Sequence, residues 1–178
     1  MIYELCTDRL LLRQWKDSDF EAFAAITSNL EVMQYFPKLL NRDETYAWID
    51  QVKYLLDVKG WGLWAIELVE TQEFIGCVGL HSQVDKFEFS PCVEMGWRLD
   101  PKFWGKGYAT EATNAWIEYA KNQLNVHTLY ASAHTENIAS QNVLKKCGFI
   151  QKSEYQFEMY GENLACYWLE LELVTQIY

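Results

Sequence analysis

The sequence predicts a mixed α/β domain of the α+β kind spanning residues 1–178, with a largely antiparallel central sheet of about seven strands flanked by about four helices. Three observations carry that expectation. Runs rich in β-branched and aromatic residues follow one another in the middle of the chain with no helix between them, unlike the strict alternation of a doubly wound fold. A strand that stops at Asp100-Pro101 hands over, through a glycine-rich turn, to a long helical pattern. The chain then finishes in two strand-like runs joined at Tyr160-Gly161-Glu162-Asn163.

In chain order, Thr7 to Gln14 (TDRLLLRQ) reads as a short extended run. Asp17-Ser18-Asp19 then leads into Phe20, Phe23 and Ala24. Glu21 lies three residues after Ser18, the spacing of a capping box that opens a helix. A second helix is signalled by Asn41 with Glu44 three on, by Tyr46, Ile49, Val52 and Leu56 at helical spacing, and by Gly60 as its stop. Gly62 to Leu68 and Glu73 to His81 are expected to pair as a hairpin across Glu70-Thr71-Gln72, and Asp85 to Pro91 reads as a loop. Val93 to Leu99 forms the fourth strand, followed by a helix from Gly107 to Leu124 with Ala112, Trp116, Tyr119 and Ala120 on one face. Thr128 to His134 is the fifth strand. Ser140 to Cys147 is a short helix, capped by Ser140 or entered at Asn137, with Val143, Leu144 and Cys147 inward and Gly148 as its stop. Phe149 to Met159 and Leu164 to Val174 complete the sheet.

Composition narrows the function classes. Half the residues are hydrophobic, enough apolar area for the chain to fold alone. The formal charge is -10, and Lys and Arg are not clustered, which argues against a nucleic-acid partner; a negative surface suits a cationic partner such as an amine. Cys6, Cys77, Cys92, Cys147 and Cys166 are odd in number and widely spaced, with no CxxC pair and no signal-like apolar run after Met1. That pattern predicts neither a disulfide framework nor a metal site, and fits a reducing cytoplasm. Apolar stretches fall well short of the ~18 residues a membrane span needs.

The chemistry concentrates in Val93 to Pro101 and Trp104-Gly105-Lys106-Gly107-Tyr108-Ala109-Thr110. A helix N-terminus presents unpaired N–H groups and a partial positive charge, and glycines let backbone amides come close to phosphate oxygens. A pyrophosphate fits such a turn, although a tight strand-to-helix connection wants glycine for geometry alone. A dinucleotide fingerprint is disfavoured, because its third glycine is Thr110 here and the position twenty beyond Gly107 is His127. A Walker A loop is excluded because Gly107, not Ser or Thr, follows Lys106.

The segment Trp104 to Ala109 resembles the acetyl-CoA signature (Arg/Gln)-x-x-Gly-x-(Gly/Ala) of the GCN5-related N-acetyltransferase (GNAT) family at all but its first position, where Trp104 stands. Trp104, the Gly107 to Ala112 run GYATEA and the opening TDRLLLRQ resemble the ribosomal-protein N-terminal acetyltransferase branch. Asn137-Ile138-Ala139-Ser140 and the closing Gly148-Phe149 extend the likeness over nearly the whole chain. The resemblance implies a sheet splayed between strands four and five. It implies acetyl-CoA as co-substrate, its pantetheine paired to the backbone of Trp97, Arg98 and Leu99 and its pyrophosphate held by Trp104 to Thr110. Asn137 would then bond a pantetheine amide. It further implies an amine acceptor, either a protein N-terminus or a small molecule, and homodimers are common in the family. A non-catalytic acetyl-CoA-binding module is the alternative.

Many family members place a tyrosine where this chain has Leu144, to protonate the leaving thiolate. Ser140 is the substitute that the branch resemblance suggests, and also a residue suited to capping. Glu94 is the leading candidate base, with His134 and Glu136 as alternatives, and an ordinary solvated strand carboxylate is the other reading of Glu94. Cys147 falls on the apolar side of its helix and is read as a buried small hydrophobe rather than a nucleophile.

Overall fold

The computed structural model describes residues 4–85 and 87–173. Their eight strands form one sheet: β1 (Leu5–Cys6), β2 (Leu10–Arg13), β3 (Leu63–Leu68), β4 (Phe74–Gln83), β5 (Cys92–Leu99), β6 (Thr128–His134), β7 (Ile150–Met159) and β8 (Glu162–Glu172). The strand order is β1-β2-β3-β4-β5-β6-β8-β7, and every neighbouring pair is antiparallel except β5 with β6. The helices are α1 (Asp19–Thr27), α2 (Leu30–Met33), α3 (Arg42–Lys59), α4 (Tyr108–Gln123) and α5 (Ile138–Lys146). Helix α4 is the crossover that a parallel pair requires. The strand count exceeds the expected seven because β1 adds a two-residue edge, Leu5 against Leu12 and Cys6 against Leu11. The expected splay between the fourth and fifth strands therefore falls between β5 and β6. Val174, the expected last strand residue, lies outside the described residues.

Alternation along the strands sends neighbouring side chains to opposite faces. Trp64 packs edge-on to Trp116 of α4, ring centroids 4.7 Å apart, and both are fully buried. Ala65 points the other way, in register with Cys77 and, through it, with Arg98, whose guanidinium meets Trp48 of α3. Trp15, Phe23, Trp48 and Phe74 form the aromatic centre of that second face.

The two expected N-terminal caps behave differently. Asn41 and Glu44 form the full capping box, and Gly60 ends α3 in the left-handed region at φ 77°. Ser18 makes no side-chain cap bond; Asp19 instead accepts the backbone N–H of Lys16. The second arginine of TDRLLLRQ explains the difference. Buried Arg13 grips both oxygens of Asp19, at 2.7 and 2.9 Å, and Glu67 at 2.7 Å, so this helix start is fixed by an ion-pair network. Glu21 turns outward to Arg42 and Tyr46. At the other short helix, α5 begins at Ile138 with Asn137 as its cap, so Ser140 is not the cap but the third helical residue.

Candidate active site

Strand β5 is paired along its length with β4, from Gln83↔Cys92 to Gly76↔Leu99. The N–H of Asp100 donates to the Ile75 carbonyl at 2.9 Å, so the antiparallel alternation turns the backbone polar groups of Trp97 and Leu99 away from β4 and toward β6. On that side pairing is confined, among the described residues, to Glu94↔Tyr130. Beyond it the strands part into a wedge. The Leu99 carbonyl is taken by the Trp104 indole N–H at 2.9 Å; the remaining wedge-facing groups of Trp97 and Leu99 have no strand partner in β6. Backbone groups in such a position call for an outside partner.

After the turn Pro101–Phe103, the chain passes through Gly105 at φ 72° and Gly107 at φ 84° into α4. A Cβ at Gly105 would touch nothing within 4 Å, and one at Gly107 only Arg9 at 3.5 Å, so the left-handed backbone rather than crowding demands glycine. Helix α4 has no side-chain cap, leaving the N–H groups of Tyr108, Ala109 and Thr110 without a capping acceptor. Glu111, the acid of its first turn, is held away. It accepts from Thr7 Oγ1 at 2.5 Å, Arg9 N at 3.1 Å and Arg9 Nε at 2.7 Å. Burial pushes the Glu111 carboxyl up, but those hydrogen bonds outweigh it and hold it below the usual range. Arg9 also donates to the Lys106 carbonyl at 3.0 Å and covers the Tyr108 ring at 4.5 Å. Thus the first arginine of TDRLLLRQ braces the glycine turn from behind through the glutamate of GYATEA. No local pattern marks Arg9 for this role, although TDRLLLRQ and GYATEA hold the two partners of the pairing.

The opposite wall comes from the end of β6 and the start of α5. Asn137 Oδ1 accepts the Ser140 N–H at 3.0 Å, which occupies the oxygen and leaves the amide nitrogen as a donor. Gln141 Nε2 donates to the carbonyls of His134 and Thr135 at 3.1 and 2.9 Å, fixing this turn. Ser140 is half-buried in the first turn of α5, and Leu144 is buried one turn on. Glu94 stands where β5 and β6 still pair, half-buried, with Oε2 accepting from Gln83 Nε2 at 2.6 Å; it is not a solvated surface carboxylate.

A roof over the strand ends had no sequence signal. Tyr35, just after α2, stacks on His134 at 5.3 Å and donates its hydroxyl to the Glu136 carbonyl at 3.2 Å. His134 Nδ1 accepts the Glu136 N–H at 3.2 Å, so the imidazole of one alternative base is engaged locally, while Glu136, the other, is held there by its main chain. Phe36 and Trp48 flank the Arg98 guanidinium at 4.5 and 5.4 Å, while Lys38 covers Tyr160 of the β7–β8 turn at 4.7 Å. A groove of about 230 Å³ continues from Trp48 to His81. Elsewhere, Cys147 is buried and its thiol is pushed up to about 11 by burial, so almost no thiolate forms at neutral pH. Among the described residues no group of three His, Cys, Asp or Glu is gathered as metal ligands, and no helix is long and apolar enough to cross a membrane.

Residues 9–150 match the family model for an acetyltransferase (GNAT) domain. The chain is 32% identical over 156 residues to the uncharacterized N-acetyltransferase YoaA of Bacillus subtilis (strain 168), covering 86% of each. It shares the fold of two solved structures of different acceptor classes to the same degree. The ribosomal-protein-S5-alanine acetyltransferase of Vibrio fischeri superposes with a TM-score of 0.73 at 19% identity, covering 96% of this chain and 97% of that one. The spermidine N-acetyltransferase of Vibrio cholerae, solved with CoA and spermine, gives 0.73 at 19%, covering 94% and 97%.

Proposed function

We propose that this chain, which belongs to the acetyltransferase (GNAT) family, moves an acetyl group from acetyl-CoA to a protein N-terminal α-amine by direct transfer within a ternary complex. The observation that carries the reading is the wedge between β5 and β6, lined by the backbone of Trp97 and Leu99 and continuous with the uncapped, glycine-opened start of α4. A pantetheine arm carries amides that match a strand edge, and a diphosphate matches a helix N-terminus. In this reading Trp97 and Leu99 hold the arm through main-chain groups, whereas the contact expected at the Arg98 main chain is lost because its carbonyl faces Gly76 of β4; the N–H groups from Gly105 to Thr110 hold the diphosphate. Lys106 is exposed beside them, and Trp104 locks the turn to the strand end. The Asn137 amide nitrogen serves a pantetheine carbonyl.

Glu94, directly or through a water, removes the ammonium proton; the amine nitrogen attacks the thioester carbon; backbone N–H groups of β5 stabilise the oxyanion. The C–S bond then breaks, the Ser140 hydroxyl gives its proton to the leaving thiolate, and the proton that the former amine nitrogen sheds on becoming an amide restores the hydroxyl. An α-amine titrates near about 8 and a lysine near about 10.4, so an α-amine presents more free base at neutral pH. The buried thiol of Cys147 supports direct transfer over an acyl-cysteine intermediate. The reading covers residues 1–178 as one catalytic domain in the cytoplasm, with no nucleic-acid or membrane partner and with a homodimer as its assembly.

Thiol release from acetyl-CoA, followed with N-terminal peptides, polyamines and amino acids, tests this. Release that requires a free α-amine supports it; release with polyamines alone would turn the assignment to small-molecule amines. Binding without release for any amine would favour a non-catalytic module.

A further inference from the structure

The chain has four arginines and 25 acidic residues. Three of the arginines hold carboxylates: Arg9 on Glu111, Arg13 on Asp19 and Glu67, and Arg42 on Glu21. Arg98 holds none. Its Nη1 is buried and has no hydrogen-bond partner among the described residues. The guanidinium lies instead against the faces of Phe36 and Trp48. Burial lowers its proton affinity, yet an arginine stays charged at any physiological pH. A buried charged group without a counter-ion is costly, and a ligand of opposite charge beside it would offset that cost.

Its position says which ligand. Glu94, Gly96 and Arg98 share one face of β5, and the two charged residues are four apart, about 13 Å along a strand. Between them Gly96 leaves room, for a Cβ built there would meet only the His81 ring, 3.9 Å away. An acceptor amine over Gly96 has a carboxylate toward its proton on one side and a guanidinium on the other. Phe36 lies against the Arg98 guanidinium, and the lysine two residues on, Lys38, is already paired with Glu44 at 2.6 Å.

We propose that the Arg98 side chain is the acceptor's anion anchor: the amine that this enzyme acetylates carries a carboxylate within one or two residues of the reacting nitrogen, and polycations are rejected. The carboxylate comes from an acidic side chain at the start of a peptide or from the α-carboxylate of a free amino acid. This inference rests on the acetyltransferase reading above: the Arg98 main chain is paired to β4, and its side chain serves the acceptor.

The test measures thiol release with wild-type enzyme and paired acceptors: peptides beginning with Asp or Glu against the same peptides beginning with Asn or Gln, amino acids against their α-amides, and spermidine. A charge-assisted, forked hydrogen bond in a desolvated site predicts a kcat/KM about 10- to 100-fold higher for the acid member of at least one pair, and the pair that shows it identifies the carboxylate's source. In Arg98→Gln that preference should shrink to within about 3-fold, and Arg98→Lys should keep part of it, since a point charge remains without the fork. Equal rates for acids and amides in the wild type, or spermidine as the best acceptor, would overturn the anchor while leaving the acetyltransferase reading intact. A preference undiminished in a folded Arg98→Gln would overturn it too. If no acceptor turns over, calorimetry of N-acetylated acid and amide products on the CoA complex decides, and equal affinities count against the anchor. Failure to bind acetyl-CoA at all is a different result and sinks the function itself.

Discussion

The wedge and its roof are built by opposite means. The coenzyme side runs through contiguous sequence, from Glu94 to Thr110, and relies on main-chain groups, two left-handed glycines and an uncapped helix. The side we assign to the acceptor is assembled from Tyr35, Phe36, Trp48, Arg98, His134 and Tyr160, six positions scattered over most of the chain, and relies on side chains. A donor common to many reactions can be held by backbone geometry; an acceptor must be told from its rivals, and that takes side chains. Changes to the first region should therefore act alike on all acceptors, and changes to the second should depend on the acceptor used.

The largest effect is expected at Ser140. If its hydroxyl protonates the leaving thiolate, Ser140→Ala should lower kcat by on the order of 10² for every acceptor with the CoA dissociation constant nearly unchanged. Because Asn137 and not Ser140 caps α5, this variant should melt close to wild type, which frees the kinetic readout from a stability loss. Normal turnover would retire the role. Next, Gly107→Val forces a β-branched residue to φ 84° and should weaken CoA binding by about tenfold, on a strain of about 1–2 kcal/mol, equally for all acceptors. Unchanged affinity in a folded variant counts against the turn.

On the acceptor side, Phe36→Ala should raise the acceptor KM about tenfold and shift the ranking of acceptors while CoA affinity stays put. An equal change for every acceptor would erase the division between the two regions. Smaller still, Cys147→Ala should keep most activity. Burial holds Cys147 near about 11 and Cys77 near about 12, whereas unfolded thiols ionise near about 8.5, so folding favours their protonated forms. That contribution is intact below about 8.5 and is lost as pH rises toward 11, which a series of alkaline melting curves would register.

The same division explains what could be read from the sequence. The hairpin of β3 and β4, the strand ending at Asp100-Pro101, the long helix α4 and the closing pair β7 and β8 all announce themselves through periodicity and punctuation. Two elements do not: β1 has two residues and α2 four, too short for any period to show. The Ser18 box failed for a tertiary reason, since Arg13 draws Asp19 and the distant Glu67 into one buried network. In the site, the glycine turn and Asn137 were visible because local geometry demands those residue types. Arg98 was visible only as main chain. Its counter-ion deficit and its neighbours Phe36 and Trp48 exist only once the fold has brought positions 36, 48 and 98 together.

The most direct test of the central claim is mass spectrometry of a peptide that carries both a free N-terminus and an internal lysine, after reaction with enzyme and acetyl-CoA. The account predicts one acetyl group on the α-amine, CoA released in equal amount and no acetyl left on the protein. Acetylation of the lysine with the N-terminus untouched, or a stable acetyl-enzyme that forms without acceptor, would contradict it.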